Sequence, residues 1–181
     1  GTTACKWDSI IPFEPLWEQY NRIIKDNGAI VLFGAEPFSS SARSSNFEMY
    51  KYDWKWIKEG ATGFQSVKTQ PMRKYEDIMI FSKGTIASGS PRNMKYNPQG
   101  LVEINKTKKV AKKPEYIGAR PNQDGKEYLA KYTNYPINLL YFKRDKDKLH
   151  PTQKPVALFE YLIKTYTNEG ETVLDNCMGS G

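Results

Sequence analysis

The stretch His150-Pro-Thr-Gln-Lys-Pro155, the run Val156–Asn168 and the segment Thr172-Val-Leu-Asp-Asn-Cys-Met-Gly-Ser-Gly181 decide how this chain is read. They spell a loop, an amphipathic helix, a short buried strand and a glycine turn. In the helix, Val156, Phe159, Leu162/Ile163 and Tyr166 fall on one face. Pro155 stands where a first-turn proline costs no hydrogen bond, and Gly170 lies just past the helix end. Val173 and Leu174 are the expected strand core, Asp175 its polar tip, and Gly179 and Gly181 the turn. Open α/β sheets build ligand pockets in this way, at the carboxyl end of a strand where glycines let a ligand approach the backbone. A lone Gly-x-Gly is equally an ordinary turn; the helix, strand and acidic tip before it favour the ligand loop. For His150–Pro155 the spacing alone does not choose between a proline-bracketed linker and a loop presenting polar side chains.

Working outward, Phe13–Asn27 has Leu16, Tyr20, Ile23 and Ile24 at helical spacing, with Pro15 in a first turn and Gly28 as terminator. Ala29-Ile-Val-Leu-Phe33 follows as a short apolar run, the mark of a strand covered on both faces. Helix, glycine and buried strand make half of a βαβ unit. A loop at Gly34–Phe38 and a short helix in Ser39–Ser45 come next. Glu48–Lys58 and Tyr75–Ser82 read as strands joined by a glycine- and lysine-bearing loop, an antiparallel pair at the sheet edge. From Thr85 to Asn134 apolar periodicity is weak, which marks an insertion, and Tyr135–Phe142 returns to ordered apolar sequence.

Length and composition are those of a globular chain with a substantial core: 181 residues, 39% hydrophobic, 26% charged. Cys5 and Cys177 make neither a disulfide framework nor a metal-ligand spacing, and a reducing cytoplasm is the expected setting. No apolar run approaches the ~20 residues of a membrane span. The 27 Lys+Arg against 20 Asp+Glu leave a net charge of +7, and aromatics reach 13%. Cations for phosphates and rings for bases suit a nucleic-acid partner, although a basic surface also serves solubility alone. The run Asn105–Lys113, with Lys106, Lys108, Lys109, Lys112 and Lys113, is either a solvated insertion or a phosphate-contacting one. Tyr50, Tyr52, Trp54 and Trp56 share one strand face by their even spacing, most simply as a core stripe, with Lys58 beyond them.

These residues carry a resemblance. His150-Pro-Thr-Gln-Lys-Pro155 is similar to the signature before the first cofactor helix of DNA amino-methyltransferases, which use S-adenosylmethionine. Val173-Leu-Asp-Asn-Cys-Met-Gly-Ser-Gly181 resembles their glycine-rich loop D-x-F-x-G-S-G, with Cys177 where Phe is common. Trp56-Ile-Lys58, Pro71 and Glu76-Asp-Ile-Met-Ile-Phe81 resemble the target-base region and the strand after it. The order, with the cofactor loop last, resembles the permuted class whose catalytic half comes first.

The resemblance implies a Rossmann-like α/β sheet, mostly parallel with one antiparallel edge strand, and an inserted target-recognition region. Residues 1–84 would be the catalytic half, 85–134 the insertion and 135–181 the cofactor half. It implies methyl transfer from S-adenosylmethionine to the exocyclic amine of adenine in double-stranded DNA, with the base flipped from its stack. A cytosine-amine enzyme and a non-catalytic DNA-binding module are the alternatives. His150, Thr152, Gln153, Lys154, Asp175, Gly179, Ser180 and Gly181 would hold the cofactor, Lys154 by its charge. Trp56, or Trp54 as runner-up, would stack the target base, while Lys58 and the lysines of the basic run would meet DNA. The family's catalytic Asp-Pro-Pro-Tyr, expected just before a segment like Gly1–Pro12, is not in the sequence. The chain is therefore expected to be an enzyme's interior with little activity of its own.

Overall fold

Ile30–Gly34 forms the first strand, β1, of a four-stranded sheet ordered β1-β3-β2-β6. The other members are β2 (Tyr50–Thr62), β3 (Arg73–Phe81) and β6 (Leu139–Tyr141). The computed structural model describes residues 11–111, 125–147, 149–150 and 152–178. One unit combines the described residues of 1–97 and 137–181; the other is Pro98–Pro136. Residues 85–97, placed by the sequence in the insertion, therefore belong to the first unit. There the backbone of Met94 comes so close to Gly84 that a Cβ would lie 2.6 Å from the Met94 nitrogen.

The fold is a mixed α/β sheet, but its pairing corrects the expectation of mostly parallel strands. β3 runs antiparallel to both β1 and β2, and only β2 and β6 pair in parallel. The antiparallel strand is interior rather than at an edge. Its apolar run Ile78–Phe81 is fully buried because strands flank it and helices cover both its faces.

Period-two alternation assigns those faces. Ile78 and Ile80 point with Trp54, Trp56 and Leu140 toward α3 (Val156–Tyr166), whose Leu158, Leu162 and Tyr166 fill the same core. Met79 and Phe81 point the other way, with Ile30, onto Trp17 of α1 (Phe13–Ile23) and Ala42 of α2 (Phe38–Ser45). Gly34, at the end of β1, has no room for a side chain: a Cβ would lie 2.9 Å from Phe38 Cδ1.

Several sequence expectations need correction. α1 stops at Ile23, and its inward residues are Phe13, Trp17 and Tyr20, with Ile24 packing beside them just past its end, while Ile23 is exposed. A shift of register between Tyr50 and Tyr52 turns Tyr50 to the α1 face, so the aromatic stripe is Tyr52, Trp54 and Trp56. The buried stripe of α3 runs through Leu158, Leu162, Thr165 and Tyr166; Val156 is exposed. The expected strand at Val173-Leu174 is irregular chain with both side chains exposed, 50% and 66%. A strand needs a ladder partner, and no described strand pairs with this segment.

The second unit carries the hairpin β4 (Val102–Lys109) and β5 (Glu127–Thr133). A register shift between Glu103 and Lys106 brackets Asn105, whose φ of 45° lies in the left-handed region that Asn tolerates. Among the described residues no helix is long and apolar enough to cross a membrane.

Two predictions follow from the aromatic core. Trp54 Nε1 donates to the Tyr166 hydroxyl at 2.6 Å, and the Tyr52 and Tyr166 hydroxyls lie 3.0 Å apart. Tyr166→Phe strands the buried indole N–H and should cost about 1–3 kcal/mol in urea unfolding. Burial raises the pKa of Tyr52 to about 12 and raises that of Tyr166 as well. Above the ordinary tyrosine value of 10.0 the unfolded chain then loses tyrosine protons that the folded chain keeps. Stability should hold below that value and fall as pH rises through about 12. Tyr52→Phe should flatten the fall measured in chemical denaturation between these values.

Candidate functional site at the carboxyl end of β1

Three charged residues, Lys55, Glu76 and Asp77, stand side by side where β1 ends. Gly34, the last residue of β1, pairs with Asp77; Lys55 also pairs with Asp77, and Trp56 with Glu76. Because strand side chains alternate, Glu76 projects to the α3 face and Asp77 to the α2 face.

On the α3 face, Glu76 joins two lysines. Lys58 Nζ lies 3.3 Å from Oε1, and Lys154 Nζ lies 3.1 Å from Oε2. Lys154 also stands over the Phe33 ring, 5.6 Å from its centroid. The loop before α3 is organised by its own polar side chains. Thr152 Oγ1 and His150 Nδ1 are 3.0 Å apart, and Gln153 accepts from the Leu149 amide at 2.9 Å. Asp145 accepts from the Val156 amide at 3.0 Å and from the Gln153 amide group, so it caps α3 from outside the helix.

On the α2 face, Asp77 lies 2.5 Å from Lys55 and 3.2 Å from Arg43. Arg43 reaches Asp53 at 2.7 Å and Glu36 at 2.9 Å. Burial alone would lower the Arg43 and Lys55 pKa values, but the carboxylates around each outweigh it and raise both. Glu36 belongs to the loop after β1; hydrogen bonds from Ser40 and then Arg43 hold its carboxyl below its ordinary value. Its backbone carbonyl accepts from Arg73 at 3.4 Å. The Ser39 hydroxyl is buried beneath this loop with no hydrogen-bond partner among the described residues.

The structure sorts the sequence-nominated residues unevenly. Trp56 and Trp54 are 1% and 3% exposed, and their indole N–H groups are committed to the Phe142 carbonyl and Tyr166. A base cannot stack on rings closed into the core, so both nominations are corrected. Lys58, 7% exposed and paired with Glu76, is likewise no phosphate contact. Lys106, Lys108 and Lys109 are exposed on β4, Lys109 lying 3.3 Å from Glu127. Asp175 accepts from the Cys177 amide at 2.8 Å and so sets the turn after it. Asn176, next along, hydrogen-bonds the Tyr20 hydroxyl at 3.2 Å. Lys112, Lys113, Gly179, Ser180 and Gly181 lie outside the described residues.

Sequence reasoning missed Glu76, Asp145 and the Arg43–Asp53–Lys55–Asp77 group. Glu76-Asp77 ahead of a four-residue apolar run was the available signal, since acids opening a buried strand need countercharges. The bare sequence does not say which cations supply them.

A family model described as DNA methylase, of the N6/N4 amino type, matches residues 6–181. The type II methyltransferase M.HpaI of Haemophilus parainfluenzae is 28% identical over 190 residues, covering 100% of this chain and 53% of that protein. The chain thus spans about half the length of the curated relative it matches. Among solved structures, the crystal structure of the M1.HpyAVI–SAM complex gives a TM-score of 0.47 at 19% identity, covering 86% of this chain and 60% of that one.

Glu76 is the countercharge of a buried lysine, so Glu76→Gln should cost roughly 3 kcal/mol by urea unfolding. Lys154→Met removes only the more exposed partner and should cost about 1 kcal/mol or less. Equal losses would show that Lys154 rather than Lys58 is the partner that stabilises Glu76.

Proposed function

Because the chain belongs to the DNA methylase family, we propose that it serves S-adenosylmethionine-dependent methylation of an exocyclic base amine in double-stranded DNA. The match of that family's model across residues 6–181 carries the reading. Adenine is the target we favour, with the amine of cytosine as the alternative. The cytoplasm of a bacterial or phage-infected cell is the setting we favour for this work.

The chemistry of the site fits the cofactor. S-adenosylmethionine carries a carboxylate beside an ammonium and a sulfonium, and it supplies the methyl group when bound. Lys154 would hold the carboxylate, exchanging part of its pairing with Glu76 for the ligand. Asp175 would keep the turn at Cys177 open to the ligand through the hydrogen bond it already makes. His150, Thr152 and Gln153 would act by shaping the loop that carries Lys154, as their hydrogen bonds to one another and to Leu149 allow. Gly179, Ser180 and Gly181 would join Asp175 in binding the methionine portion of the cofactor. Lys106, Lys108 and Lys109 would meet phosphates, adding affinity without sequence information.

Titration calorimetry with S-adenosylmethionine tests the cofactor part. Lys154→Met and Asp175→Ala should each weaken binding by about tenfold, or 1.4 kcal/mol. Unchanged affinity in both would remove these residues from the site. For the target, DNA from cells expressing the encoding gene should yield N6-methyladenine on nucleoside digestion and mass spectrometry. N4-methylcytosine in its place would move the assignment to the alternative.

A further inference from the structure

The hairpin of β2 and β3 does not end where β1 ends. Its ladder continues from Asp77, level with Gly34, through the pairs Ile57–Tyr75 and Thr62–Arg73. The four residues from Asp77 to Arg73 carry it about 13 Å past the end of β1 at ~3.3 Å per residue. At the tip, Gly63, with φ of 93°, turns the chain into a short 3-10 helix, Phe64–Ser66.

The turn is held by its own backbone. Ser66 N donates to the Gly63 carbonyl at 3.1 Å, Val67 N to Phe64 at 3.1 Å and Gln70 N to Ser66 at 3.0 Å. On this ordered loop Phe64 is 74% exposed, and Val67 and Met72 are exposed with it. Lys68, Arg73 and Lys74 belong to the same loop and its flank, and the segment 60–74 contains no acidic residue. Neither Lys68 nor Lys74 forms an ion pair with a described residue.

An aromatic ring held out in water by a hydrogen-bonded turn forgoes its burial free energy, which marks a contact surface. Cations without a counter-acid select a polyanion as the partner. Apolar wedges that enter a duplex between base steps, beside cations on the flanking phosphates, have this composition.

We propose that the β2–β3 tip is a DNA-contacting wedge. Phe64 inserts at a base step of duplex DNA while Lys68 and Lys74 bind phosphates on either side. Arg73 stays tied to the Glu36 carbonyl, so the wedge is braced against the loop at the carboxyl end of β1. This rests on the reading of duplex DNA as the substrate, and it names a surface outside both the cofactor loop and the basic run.

The test uses the whole chain with fluorescein-labelled duplexes and with duplexes bearing 2-aminopurine at successive steps. Binding of the unsubstituted chain should raise 2-aminopurine emission at one or more steps, as insertion unstacks the base. Phe64→Ala should bind about tenfold more weakly and lose that rise, whereas Phe64→Trp should keep both. Lys68→Ala with Lys74→Ala should lower the slope of log affinity against log salt by about 2. Thermal unfolding of Phe64→Ala should match that of the unsubstituted chain, since the ring is exposed.

If Phe64→Ala binds DNA as tightly, with the same emission rise, the wedge is wrong while DNA binding stands. If the unsubstituted chain binds no duplex, the wedge and the proposed substrate fall together. If Phe64→Ala loses affinity for anionic phospholipid vesicles but not for DNA, the tip is a membrane-directed surface and the wedge is overturned.

Discussion

Two consecutive carboxylates on the interior strand, Glu76 and Asp77, set the condition that the rest of the first unit meets. Alternation sends them to opposite faces of the sheet, and each is largely shielded from water. A buried carboxylate without a countercharge costs several kcal/mol, so each face has to bring cations to this level. The α3 face brings Lys58 from β2 and Lys154 from the loop before the helix. The α2 face brings Lys55 from β2 and Arg43 from the helix itself. The charges therefore fix both the register of β2 against β3 and the approach of the two helical layers. Below this level β1 and β3 are apolar on both faces.

What was legible in the sequence was legible because burial there is simple. Ile30–Phe33 and Ile78–Phe81 have both faces covered, so a continuous apolar run identifies them whatever the direction of their neighbours. Direction and neighbour order do not appear in such a run, because parallel and antiparallel ladders bury the same side chains. That is why β3 was expected at the edge and lies inside. The place of Tyr50 was lost to a single shift of register, which reverses the face of every residue on one side of it. α1 was read too long because Ile23 and Ile24 continue the apolar spacing, while the chain turns extended at Ile24 with ψ of 137°.

The site was legible only in part. Lys154 stands at the carboxyl end of β1, as a loop leading into a helix beside a buried strand would place it. Its relation to Glu76, distant in sequence, depends on which strand lies between β1 and β2, and that is a property of topology. The tryptophans show the same dependence. An aromatic stripe ending in a lysine reads as a stacking platform on an open strand, but between β3 and β6 and beneath α3 it is core. Trp56, at the centre of that sheet, spends its N–H on the Phe142 carbonyl, the bond that keeps a buried indole satisfied.

The two sides of the site are held in different ways. The loop after β1 is fixed from several directions: Arg43 grips the Glu36 carboxylate, Ser40 N donates to it, and Arg73 holds the Glu36 carbonyl. In the loop before α3, His150 bonds Thr152 and Gln153 bonds Leu149, while Lys154 reaches the sheet through its ion pair with Glu76 and its place over Phe33. A ligand carboxylate that drew Lys154 away would leave Lys58 to neutralise Glu76, which it already does at 3.3 Å. The exchange would therefore strand no buried acid. Sharing one carboxylate between two lysines would let the second take a ligand at small cost to the fold, while the sheet side keeps its geometry.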